Sequence, residues 1–236
     1  MKNIIVAGDS FCASVGWPEE VAKLLNLDLK KFGFGGASWW ISAQAVATLP
    51  KDEIRNTDIV ILCHTNAHRL PVKDMEILRT DFENIDNRNP KQLAVKLYWT
   101  YLFPPEVMQF YIWAQRHWFK ELSEKFSHCR IINLHCFPQS WHDRVYLSGM
   151  NVSPSLTAIS LNELGAGTME ILRNCGRNNH LSESNNQKLA NEIVRLINNY
   201  KEGDVELDLT KFDLKSTHWF EWDKNENTYN GLAGWW

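Results

Sequence analysis

The stretch TDIVILCH, Thr57–His64, is apolar at successive positions and shows no alternation. Such a strand must be covered on both faces, the situation of a strand inside a parallel sheet flanked by helices. The run at 3–7 (NIIVA) and the run at 129–137 (CRIINLHCF) have the same character, and LDLKKFGF at 27–34 reads as a shorter strand. Helical patterns separate them. GWPEEVAKLLN (16–26) places Pro18 and two glutamates in a first turn, with Val21, Leu24 and Leu25 on one face. GGASWWISAQAVATL (35–49) reads as a helix starting at Gly35-Gly36. Val107, Phe110, Tyr111, Ala114, Trp118, Leu122 and Phe126 recur at intervals of three and four, which predicts one long helix. The last helix, in SESNNQKLANEIVRLINNY, is expected to start with a capping box of Ser184 and Gln187. Strands alternating with helices imply an α/β sandwich with right-handed crossovers and about four to five parallel strands.

The 236 residues suit one such domain, here 1–202, with a helical insertion at 68–128 and a C-terminal extension at 203–236 expected to pack on it. Residues 138–179 read as loop-rich, and DVELDLTKF (204–212) as an added edge strand. The net charge of −3 leaves no electrostatic footprint for nucleic acid. No run approaches the ~18 apolar residues of a membrane span, and the short apolar start offers no secretory h-region. The five cysteines are odd in number and lack C-x-x-C spacing, so free thiols and a cytoplasmic location are expected. His64 and His68 share metal-ligand spacing without a third partner nearby, and neither metal nor cofactor is expected.

Ligands of such sheets bind at the carboxyl ends of the strands. Three polar clusters fall there: Gly8-Asp9-Ser10, Gly33–Gly36 and His64-Thr65-Asn66. A fourth candidate, His180, precedes the last helix. A serine nucleophile needs a base within hydrogen-bond reach, and acyl transfer needs donors aimed at its oxyanion.

With these blocks in this order the chain resembles the SGNH, or GDSL-type, serine hydrolases. GDSFCAS matches the nucleophile block, KFGFGGAS resembles the glycine block, HTNA partly matches the asparagine block, and RNNHLS matches the histidine block. The resemblance spans about 200 residues, a full domain in length, and implies a flavodoxin-like three-layer α/β/α fold. It implies Ser10 as nucleophile and His180 as base, with an oxyanion hole from the Ser10 and Gly36 N–H groups and the Asn66 amide. Asp9, His64 and Trp39 are the candidates for the substrate pocket. The implied activity is carboxylic ester hydrolysis of a small-molecule or carbohydrate ester, with a short-chain or O-acetyl group. Arg177 stands where the family has the aspartate that orients the histidine. Arginine is donor-only and cationic, so a backbone carbonyl near Arg177, Asn178, or a carboxylate such as Asp143 or Glu183 has to take that part. The alternative is a weakened hydrolase fold that binds a carbohydrate or small ligand.

Overall fold

The computed structural model describes residues 2–65, 70–72, 75–77, 88–98, 101, 105–137, 148–165 and 176–216. Strand β1 (Asn3–Gly8) runs into a one-turn helix α1 (Ser10–Ala13), then α2 (Trp17–Leu25), β2 (Asp28–Gly33), α3 (Trp39–Ala47), α4 (Lys51–Arg55) and β3 (Thr57–His64). A short antiparallel pair follows, β4 (Leu70–Val72) with β5 (Met75–Ile77). Helices α5 (Pro90–Leu97) and α6 (Pro105–Lys125) lead to β6 (Arg130–His135). Then come β7 (Met150–Ser153), α7 (Leu156–Leu164), a 3-10 turn (Asn178–His180), α8 (Glu183–Asn198) and β8 (Gly203–Glu206).

The main sheet has six strands, all parallel, in the order β2-β1-β3-β6-β7-β8. This is the flavodoxin-like doubly wound order, continued by one strand. Its switch point lies at β1, whose neighbours are β2 and β3, so the end of β1 opens into a crevice between oppositely directed crossovers. The continuous apolar runs explain the central strands: β1 is buried at every position and β3 at all but Asp58. Alternate side chains feed two cores. One holds Ile4, Val6, Ile59, Ile61, Ile132 and Leu134 beneath α2, α7 and α8. The other holds Ile5, Ala7, Val60, Leu62 and Ile131 beneath α3 and α6.

Four expectations need correction. The main sheet exceeds the expected strand count because β7, only four residues long, lies in the stretch read as loop, which also holds α7. Region 68–128 is not wholly helical, since it begins with β4 and β5. Helix α3 starts at Trp39 behind Ser38, later than its Gly-Gly. The cap of α8 is Ser182, whose side chain accepts from Asn185 N–H; Ser184 instead donates to Asp213. The edge strand in the acidic tail is present as β8, paired to β7.

The chain after β8 is tied back by Glu192 of α8, which is 1% exposed. It accepts from Arg195 Nε at 2.9 Å, from Asp208 N–H at 3.2 Å and from Lys211 Nζ. Burial raises its pKa, but the Arg195 and Lys211 bonds outweigh that and hold the carboxyl below its ordinary range. A depressed carboxylate stabilises the fold above its unfolded value of about 4.3 and loses that contribution as pH falls through the folded one. Urea unfolding should therefore show stability dropping below about pH 4.3, and Glu192→Gln should flatten that drop; an unchanged acid slope would contradict the assignment.

Candidate active site

The site is built at the end of β1. Gly8 lies against β3 so closely that a Cβ there would meet Cys63 Cβ at 2.4 Å and Cys63 O at 2.6 Å. Glycine is therefore what lets the end of β1 lie this close to β3. Asp9 caps α1, its Oδ1 accepting from Phe11 N–H at 3.0 Å. Its Oδ2 accepts from the Thr65 hydroxyl at 2.9 Å, which fastens the end of β3 to the same turn. Ser10 is the first residue of α1, so its N–H has no intrahelical acceptor.

The loop after β2 hangs from the same place. Gly8 O accepts from Phe34 N–H at 3.2 Å and from Ser42 Oγ at 2.8 Å, fastening the start of the loop that carries Gly36 and the helix α3 that follows it. Gly36 has φ +75°, a conformation side chains disfavour, while the space beside it is open. Its glycine answers a backbone need and leaves the neighbouring surface clear.

His180 comes from the far end of the chain. Its Nε2 lies 2.8 Å from Ser10 Oγ, across 170 residues of sequence. The ring packs on Phe11 with centroids 4.7 Å apart, and Phe137 meets Phe11 edge-on. Asn179 and His180 both take left-handed backbone angles, φ 53° and 58°. Such residues cost about 1–3 kcal/mol each and persist only where the surroundings over-determine them. Here two sets of bonds do so. Asn179 Oδ1 accepts from Ser14 N–H at 2.9 Å, and Asn179 Nδ2 donates to Asn186 Oδ1 at 3.3 Å. Asn186 Oδ1 also accepts from Trp17 N–H, and its Nδ2 donates to the carbonyls of Asn178, Leu181 and Ser182. On the other side, Ser160 Oγ donates to His180 O and accepts from Arg177 Nη2 at 2.9 Å. Arg177 Nη1 donates to Glu163 Oε2 at 2.6 Å, and both Glu163 oxygens accept from Ser182 N–H.

Among the residues singled out by sequence, Ser10 and His180 are brought together, and Gly36 lies on the loop tethered to Gly8. Asn66 and Asp143 fall outside the described residues. Arg177 pairs with Glu163, Asn178 is exposed and bonds through its carbonyl, and Glu183 is exposed in the first turn of α8. Asp9, His64 and Trp39, the candidates for the substrate pocket, are all buried. Asp9 faces the turn it caps. His64 Nε2 lies 2.8 Å from Asn133 Oδ1, with its ring stacked on His135 and edge-on to Phe119. Trp39 packs in the α3–α6 core. Sequence reading placed Thr65 in a strand-end cluster without giving it a part, and it missed Ser160, Glu163, Asn179 and Asn186. Only the last two carried a signal, as asparagines beside the histidine block.

No cluster of three His, Cys, Asp or Glu among the described residues could hold a metal ion, and no helix among them is long and apolar enough to cross a membrane. Below the turn lie three buried thiols, Cys12, Cys63 and Cys136. Burial first, then hydrogen bonding to Cys12 and Cys136, raises the Cys63 thiol, and burial also raises Cys136. Cys129, which donates to Thr57 O, is pushed by burial up to about 11. A thiolate is the reactive form. At pH 8 the folded protein should therefore react slowly with Ellman's reagent at Cys63, Cys129 and Cys136 and rapidly once unfolded; fast native labelling of any of the three would contradict these environments.

No protein-family model matches the chain, and no curated protein matches it in sequence. Two solved structures are similar to it. One is a carbohydrate esterase family 2 enzyme with a carbohydrate-binding domain from Corynascus thermopiles (Myceliophthora fergusii), at 10% identity and TM-score 0.34 over 58% of this chain. This chain spans 45% of that protein's length. The other is a G-D-S-L family protein of Desulfitobacterium hafniense DCB-2 assigned as lipolytic, at 15% identity and TM-score 0.42, covering 83% of this chain and 99% of that one.

Proposed function

We propose that the protein is a serine hydrolase of the SGNH type that cleaves a short-chain or O-acetyl ester through an acyl-enzyme on Ser10. The observation that carries this reading is the 2.8 Å contact of Ser10 Oγ with His180 Nε2 at the end of the first strand of a doubly wound sheet. An alcohol is a weak nucleophile until a base takes its proton, and an imidazole at this distance can do so.

The steps balance within these groups. Ser10 Oγ bonds to the ester carbonyl carbon as its proton passes to His180 Nε2. The carbonyl oxygen takes the negative charge, facing the N–H groups of Ser10 and Gly36 and the amide of Asn66. Collapse expels the alcohol, which takes the proton from His180. A water then repeats the sequence in the second half-reaction and releases the acid and free Ser10. Neutral amide donors suit this work because they need no titration.

A carbohydrate alcohol is favoured by the aromatic surface beyond the Gly36 loop. Trp40, four residues after Gly36, is 37% exposed and packs against Trp118 with ring centroids 5.4 Å apart. Exposed indole faces offer sugar rings an apolar plane.

Hydrolysis of p-nitrophenyl acetate tests the reading. Ser10→Ala and His180→Ala should each lower kcat/KM by at least ~10³-fold. Asn66→Ala should cost ~10²–10³-fold, mostly in kcat. Equal turnover by wild type and Ser10→Ala would overturn it.

A further inference from the structure

We propose that Glu163 and Arg177 are positioning residues for His180, and that they orient the imidazole through its main chain. The inference rests on the roles given to Ser10 and His180 above. It starts from a chemical conflict: a guanidinium three residues before the base has no acceptor to offer the ring.

The contacts resolve that conflict by bracketing the histidine. Going around the ring of bonds, His180 O receives the Ser160 hydroxyl, which receives Arg177 Nη2. Arg177 Nη1 reaches Glu163, and Glu163 receives Ser182 N–H with both oxygens. Arg177 O in turn accepts His180 N–H at 3.2 Å. The circuit therefore grips the chain before the imidazole, at it and two residues beyond it. Both ends of the circuit lie on α7, one turn apart, so a rigid helix sets the spacing.

Burial makes the grip stiff. Ser160 has no exposed surface, and the side chains of Glu163 and Arg177 are 9% and 18% exposed. Charge-assisted bonds in such surroundings are short and directional. Glu163 also cancels the arginine charge beside a residue that must become cationic when it accepts the Ser10 proton. The left-handed angles at Asn179 and His180 need this external hold, because the isolated turn would relax out of them.

The test is labelling of Ser10 by a fluorophosphonate. The Ser10 Oγ–P bond forms, the P–F bond breaks, fluoride leaves and the serine proton passes to His180. Its rate reports activation of the serine without a need for turnover. Glu163→Gln keeps an acceptor for Ser182 N–H but removes the negative charge that faces Arg177. It should slow labelling by ~10–10²-fold, since small misplacement of a reacting group has effects of that size. The same variant should lower kcat for p-nitrophenyl acetate with KM changed by less than about threefold, as expected for an interaction that acts on the transition state. Arg177→Gln should behave alike, and the double variant should be no slower than the slower single, because the pair acts as a unit. If Glu163→Gln fails to fold, Ser160→Ala breaks the circuit at its middle and should still slow labelling. Labelling of folded Glu163→Gln or Ser160→Ala at the wild-type rate, or fully additive losses in the double variant, would overturn the inference alone. Absence of labelling in the wild type would overturn both this inference and the hydrolase reading.

Discussion

One buried carboxylate joins the pieces of the site. Asp9 has no exposed surface, and its two oxygens divide their work between Phe11 N–H at the start of α1 and the Thr65 hydroxyl at the end of β3. The first bond fixes the turn that presents Ser10. The second draws the neighbouring strand end toward that turn. Removing either partner would take one hydrogen bond from a buried carboxyl group, a cost of about 1–3 kcal/mol. The local geometry of the serine and the spacing of two strands are thus set by one side chain.

A second layer of order comes from the last third of the chain. Helix α8 packs on α2, and Asn186 at its start bonds both to Trp17 N–H and to the loop that carries His180. Trp17 is itself fully buried, and its indole N–H donates to Phe11 O at 2.8 Å. The helix pair that shields one face of the sheet is therefore the frame that delivers the imidazole. Packing and site geometry share the same residues, so changes in the α2–α8 interface reach the site directly.

The sequence was most legible where burial is uniform. Strands β1, β3 and β6 declare themselves because both faces are covered, and the predicted stripe of α6 is buried at its end, Leu122 and Phe126, while Phe110 is exposed. β7 was hidden because four residues carry too little pattern, and α7 because it is buried on all sides and shows no polar face. The cap of α8 was misplaced by two residues because Ser182 and Ser184 are chemically alike; only the bond to Asn185 N–H distinguishes them. Ser10 and His180 were legible as motif residues. Glu163 was not, since a lone glutamate in a helix acquires meaning only from an arginine folded against it.

Among the described residues the sheet ends at β2 and β8, and these two borders differ in charge. On β2 the lysines are engaged, Lys30 with Glu53 and Lys31 with Glu19. On β8 the strand reads GDVE, and Asp204 and Glu206 lie exposed beside the last row of backbone amides. A second chain adding itself there by the same border would bring carboxylates against carboxylates. The acidic fringe works as a guard against strand-to-strand polymerisation, at the place where a parallel sheet is most open to it.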